Sequence, residues 1–321
     1  MKKKLLIGFL TAFLMFTVIS STIYLINATL PADSNNEKDG SKPFTLVWLS
    51  DPQYYASYYP EIYDCLGDWF AKMYKKNAFE YAIVSGDIVN NARCLNEWEV
   101  ANRNFKKLDD AGVPYGILAG NHDVITKGLD YRRFKHYFGS SRYKNKPWFG
   151  ASMDDNRNHY DLVSFGEHDF VILYLGFGTE ARNESISWSN KVLSKYKKRT
   201  AILVLHEYLN NNAELGKRAK IVFDKIVIKN QNIQLVLCGH YHGALRRTET
   251  VKNPDGTTRN VIEILSDYQK APLGGSGYLR LLKFCPRSET LKVVSYSPYE
   301  GKYNYFGPAR DSFTENIKLI D

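Results

Sequence analysis

The chain has 321 residues, 44% of them hydrophobic and 24% charged, enough to bury a substantial core in one large domain or two small ones. That balance excludes a disordered or fibrous protein. Its formal net charge of +9 includes Lys2, Lys3 and Lys4 at the N-terminus, so the remainder carries only +6, an excess that suits anionic substrates but is too small and scattered for a nucleic-acid binder.

Residues 1–31 begin with those lysines and continue into a charge-free run from Leu5 to Ala32. This pattern predicts a signal peptide or an uncleaved N-terminal membrane anchor, with the lysines staying cytoplasmic and the bulk of the chain exported. Leu5 to Ile26 approaches the roughly 20 residues that span a bilayer, whereas the small residues in "INA" and "LPA" suit cleavage, and both outcomes stay open. Residues 32–43 are polar with Gly, Ser and Pro, and read as a linker to a domain over 44–321. Cys65, Cys94, Cys238 and Cys285 permit up to two disulfides in an exported chain, with four free thiols as the alternative. Cys238, inside "IQLVLCG", is expected to be buried.

In chain order, "FTLVWLS", "YAIVSGD" and "PYGILAGNHD" read as strands, separated by the helical patterns "YDCLGDWFAKMYKK" and "NEWEVANRNFKKLDDAG". Later strands are "YDLVSFG", "FVILYLGFG", "TAILVLHEY", "IQLVLCGHYH", "VIEILSDY", "GYLRLLKF" and "LKVVSYS", with helices expected at 187–198 and 213–229. The alternation predicts an α/β fold, and the strand-rich tail predicts mixed sheets.

Polar residues fall at the strand ends: Asp51 after "LVWLS", Asp87 after "AIVSG", Asn121 and His122 after "GILAG", His206 after "AILVL", and His240 and His242 after "QLVLCG". Loops beyond the carboxyl ends of strands gather into one crevice in open α/β sheets. Carboxylate and amide oxygens with several imidazoles are a donor set for Zn, Fe or Mn, too rich in nitrogen for Ca or Mg alone. Four of the seven histidines lie in these motifs. In "GHYH", alternation along an extended segment would put His240 and His242 on one side, able to serve two neighbouring ions.

These motifs, "DPQ", "GDIVN", "GNHD", "LHE" and "GHYH", resemble the signature of the calcineurin-like metallophosphoesterase superfamily, D-x-H, G-D-x-x-D/N, G-N-H-D/E, a lone His and G-H-x-H. The resemblance implies a four-layer sandwich of two mixed sheets flanked by helices, and two divalent metal ions at the strand ends. Carried over by position, Asp51, Gln53, Asp87 and His242 hold one ion, Asp87, Asn121, His206 and His240 the other, and Asp87 bridges them. His122 is then the general acid, with Asp123 or another acid orienting its ring, while Asn90 supports its loop. Gln53 stands where the signature has histidine. Its neutral amide is a weaker and harder donor, which favours Mn or Fe over Zn.

The expected activity is hydrolysis of a phosphorylated substrate outside the cytoplasmic membrane, with no nucleic-acid partner. A phospho-ligand-binding pseudoenzyme and an envelope-associated scaffold remain open beside it. Residues 133–161, rich in Arg, Lys, Tyr and Phe, are expected either to wall the cleft, with His159 as a substrate contact, or to form an ordinary surface excursion.

Overall fold

The computed structural model describes residues 42–125 and 129–320. The segment read as signal or anchor, and the linker up to residue 41, lie outside the described residues. Among those described, no helix is long and apolar enough to cross a membrane.

The first part runs Phe44–Leu49 (β1), Gln53–Ser57 (α1), Pro60–Lys75 (α2), Tyr81–Val84 (β2), Leu95–Ala111 (α3), Tyr115–Ile117 (β3) and Arg132–Phe138 (α4). Phe149–Met153 (β4), Asn158–Phe165 (β5), His168–Leu175 (β6), Asn183–Lys195 (α5), Thr200–Leu205 (β7), Lys217–Val222 (α6), Ile233–Cys238 (β8), Gly243–Lys252 (β9) and Thr258–Asp267 (β10) come next. Leu279–Cys285 (β11), Thr290–Ser297 (β12), Lys302–Tyr303 (β13) and Ser312–Asn316 (β14) follow.

Two mixed sheets of seven strands result, ordered β13-β12-β11-β1-β2-β3, with β14 against β12, and β4-β5-β6-β7-β8-β10-β9. In the first, β1, β2 and β3 are parallel and β11 is antiparallel to β1. In the second, β6, β7, β8 and β10 are parallel. Strands this apolar are covered on both faces, as parallel sheets require. Successive side chains of β1 show it: Val47 and Leu49 join Leu66, Phe70 and Trp98 under the helices, while Leu46 and Trp48 face the second sheet beside Ile172 and Val204. On the far face of that sheet, Leu173, Leu203 and Val236 pack against Leu193 of α5 and Val222 of α6.

Several boundaries differ from expectation. The helix expected over 213–229 begins only at Lys217, because the Asn210 side-chain oxygen accepts the N–H groups of Asn212 and Glu214 and holds that stretch in a turn. It continues as a π-turn over Phe223–Val227. Residues 133–161 are framework, not a cleft wall: Phe134 and Phe138 are fully buried, Phe138 against Phe105, and β4 and β5 pair within the second sheet. All four cysteines are free, and Cys238 is buried.

Candidate metal centre

The carboxyl ends of β1, β2, β3, β7, β8 and β10 meet where the two sheets adjoin. Three of the residues there hold left-handed backbone, Asp51 at φ 53, Asp87 at φ 54 and His240 at φ 73, a conformation that costs a non-glycine residue on the order of 1–3 kcal/mol. Hydrogen bonds tie these turns together. Asp51 accepts the His240 N–H at 3.1 and 3.2 Å, and Asp87 Oδ1 accepts the His122 N–H at 2.9 Å. Glycine is required next to the carboxylates, since a Cβ on Gly120 would lie 2.1 Å from Asp87 Oδ1 and one on Gly239 2.0 Å from Asp51 Oδ2. The "GHYH" segment is therefore a turn and not extended. Tyr241 N–H bonds back to the Gly239 carbonyl at 2.9 Å, and β9 starts only at Gly243.

Asp87, His206 and His240 each offer a donor atom within 4.8 Å of the others. The His206 Nδ1 lies 3.0 Å from the Ser85 carbonyl, which can only accept, so Nδ1 carries the hydrogen. Its Nε2 then faces Asn121 Oδ1 at 2.8 Å and Asp87 Oδ1 at 3.3 Å. Three acceptors converge on one point, an arrangement that a proton or a metal ion relieves. Burial alone would lower the His206 pKa, but the Asp87 and Asp51 charges outweigh it and hold the ring up at about 10. Burial likewise opposes ionisation of Asp87, and His206 overcomes it, leaving that carboxyl below its ordinary range. Asp51 lies well above that range, pushed there by burial and by Asp267 and Asp87 nearby. Burial and His206 hold His240 down at about 4. Three buried acids, Asp51, Asp87 and Asp267, thus face one charged imidazole at His206 and a neutral one at His240, a donor set that a dication fits.

The other side of Asp87 is built from amides. Gln53, 1% exposed, donates its Nε2 to Asp87 Oδ2 at 3.1 Å and also to Gln269 Oε1, while its own Oε1 has no partner. Gln269 in turn touches His242 Nε2, and Asp267 Oδ2 lies 4.0 Å from that same nitrogen. The two oxygens of Asp87 thus look toward two different donor groups.

Beside both, the His122 Nδ1 is 2.7 Å from the Asn90 carbonyl and must donate to it, leaving Nε2 as the atom that exchanges protons. Asn90 supports the loop through its backbone. Asp123 does not hold the His122 ring. Fully buried, it accepts the N–H groups of Ile88 at 2.7 Å, Val89 at 3.0 Å and Gly120 at 2.7 Å, and so pins the Asp87 loop to the Asn121 loop. Burial and the Asp87 charge raise its pKa to about 7.

A family model described as calcineurin-like phosphoesterase matches residues 44–244. The chain belongs to this family. It is 43% identical over 285 residues to the protein YvnB of Bacillus subtilis (strain 168), itself uncharacterized, covering 86% of this chain and 22% of YvnB. A probable cyclic nucleotide phosphodiesterase of Moraxella catarrhalis (strain BBH18) is 24% identical over 175 residues, 50% of this chain and 57% of that protein. The chain thus spans well under two thirds of either relative. Among solved structures, the purple acid phosphatase PPD1 of yellow lupin shares the fold, with a TM-score of 0.58, 13% identity, and coverage of 87% of this chain and 55% of that one.

Calcineurin-like phosphoesterases typically bind two divalent metals, and the donors read from the sequence at Asp51, Gln53, Asp87, Asn121, His206, His240 and His242 all lie in the one crevice described. His159 does not join them. It is 2% exposed on β5, with its ring stacked at 4.3 Å on Tyr174, so it has no surface for a substrate to touch. Asp267 and Gln269 were missed. Asp267 ends the strand "VIEILSD" in the same way that Asp51 and Asp87 follow theirs, and that position was the available signal.

Proposed function

We propose that this chain is an exported hydrolase of phosphoric esters that works with two divalent metal ions. The observation that carries this reading is Asp87, whose Oδ1 faces His206 and the His122 N–H while its Oδ2 faces Gln53. One ion would be held by Asp87, Asn121, His206 and His240, the other by Asp51, Gln53, Asp87 and His242. An amide at Gln53 favours Mn or Fe over Zn. Two such ions supply a clamp on the phosphate oxygens, a water of lowered pKa and compensation for the charge of an in-line displacement.

The chain's own residues supply the remainder. His122, oriented by the Asn90 carbonyl, passes its Nε2 proton to the leaving oxygen as the bond from phosphorus to that oxygen breaks, while the water oxygen forms the new bond. Asp123 keeps the Asp87 and Asn121 loops in register. Export is supported by the lysine cluster and the charge-free run of the first 31 residues.

The test combines elemental analysis with hydrolysis of p-nitrophenyl phosphate, its bis ester and a cyclic nucleotide, the last suggested by the Moraxella relative. Mn-dependent hydrolysis of one class, with close to two ions per chain at saturation, is expected. A protein that binds metal and phosphate analogues without turnover would instead be a binding module. Protease added to intact cells should reach the domain, and protection from it would refute export.

A further inference from the structure

The carboxyl end of β10 belongs to the crevice, yet no step above uses it. Asp267 ends that strand fully buried, and its Oδ2 has no hydrogen-bond partner. Its Oδ1 accepts the Gln269 N–H at 2.9 Å, which fixes the turn that carries the Gln269 side chain inward. Gln269 is 8% exposed, and its amide lies between Gln53 on one side and His242 Nε2 on the other. Gln53 Oε1 is a second buried oxygen without a partner. Two buried unpartnered oxygens, an imidazole nitrogen and two amides therefore lie along one run of contacts from Asp87 to His242, a donor set that a cation would satisfy.

We propose that Gln269 is a metal ligand at this first position, giving its side-chain oxygen to the ion beside Gln53 and His242, with Asp267 as the positioning residue that holds it there. The proposal rests on the two-ion reading above. Half a turn of both terminal amides exchanges their oxygens and nitrogens: Gln269 Nε2 then donates to Gln53 Oε1, and Gln269 Oε1 with His242 Nε2, and Gln53 Oε1 with Asp87 Oδ2, are acceptors that can share one ion. Two amide oxygens then do the work of the single imidazole that the D-x-H pattern supplies and Gln53 lacks. Such a donor set is harder than an imidazole and selects Mn over Zn at this position.

Calorimetric titration of Mn into the chelator-stripped full chain decides it. Wild type should take up two ions. Gln269→Ala should hold one of them about 10–100-fold more weakly, as supporting residues of metal sites do, and keep the other unchanged. Gln269→Glu, which retains an oxygen and adds charge, should restore or tighten the weakened site. Asp267→Ala should weaken the same ion, and Asp267→Asn, which can still accept the Gln269 N–H, should largely recover it. The metal-free unfolding temperature of Gln269→Ala should match wild type while its rise on adding Mn shrinks. Two ions bound by Gln269→Ala at wild-type affinity, or equal weakening of both, would overturn the assignment and leave the two-ion reading standing. A wild type that binds no Mn would refute both.

Discussion

Two buried His–Asp pairs in this molecule have opposite chemistry. In the crevice, His206 Nε2 lies 3.3 Å from Asp87 Oδ1; between the sheets, His159 Nε2 lies 3.9 Å from Asp161 Oδ2. All four residues are 2% exposed or less. Yet His206 is held up at about 10 and His159 is pushed down to about 3. The carboxyls diverge as well, Asp87 falling below its ordinary range and Asp161 rising well above it. Burial disfavours charge in both places, so company decides. His206 has Asp87, Asp51 and a backbone carbonyl to stabilise a positive charge. His159 has the faces of Tyr174 and Tyr143 and an Nδ1 without a partner, and Asp161 is capped by the Tyr81 hydroxyl. One pair is a charged ion pair among further buried acids, and the other is a neutral part of the packing.

The sharpest way to break that contrast is to remove charge from the charged pair. On the two-ion reading proposed above, Asp87→Asn should abolish hydrolysis and cost both ions, because its two oxygens would serve both donor groups. Elemental analysis that still finds two metals per chain would refute the bridging role. Next in size is His122→Ala, which removes the proposed proton donor but no proposed ligand. Metal content should stay, while turnover falls about 10²–10⁴-fold on substrates with poor leaving groups and less on good ones. An equal loss on both would mean that His122 binds substrate instead of protonating it.

Asp161→Asn acts on the neutral pair, and its sign follows from linkage. A carboxyl whose folded pKa lies above the unfolded value of about 3.9 contributes stability that is complete below that value and lost as pH rises toward the folded pKa. Wild type should therefore lose stability across that window, and Asn, which can still accept from Tyr81, should not. The variant is expected to be more stable than wild type at neutral pH, with the gap closing toward pH 4. Denaturant melts at several pH values measure it. A gap that widened toward low pH would show that Asp161 is ionised in the folded state.

Why one pair was legible in the sequence and the other misread follows from the same physics. Asp51, Asp87, Asn121, His206, His240 and His242 each sit just past an apolar run, and the turns that place them need glycine at Gly86, Gly120 and Gly239, so motif and geometry coincide. His159 also stands beside polar residues, in "RNHYD", but it lies within a strand whose alternation points it at the opposite sheet. That direction depends on register with β6, where His159 pairs with Tyr174, and register is a tertiary fact. Gln269 was invisible for another reason. It lies two residues past its strand, and only the hydrogen bond from its N–H to Asp267 turns it inward. The π-turn after α6 likewise leaves no mark in the apolar spacing.

The smallest expected effect is also the most direct check on the misreading. His159→Phe replaces a neutral ring with another of similar shape and removes the unpartnered Nδ1. Stacking on Tyr174 at 4.3 Å with planes 7° apart is available to a phenyl ring, and near-isosteric swaps in a packed interior usually cost less than about 1.5 kcal/mol. Removing a buried nitrogen that lacks a partner works the other way, so the two terms largely cancel. Stability should stay within about 1 kcal/mol of wild type, and kcat and KM should both be unchanged, because the ring reaches neither crevice nor solvent. A KM that rises while the unfolding midpoint holds would return His159 to the substrate path and show that the two pairs communicate through β5.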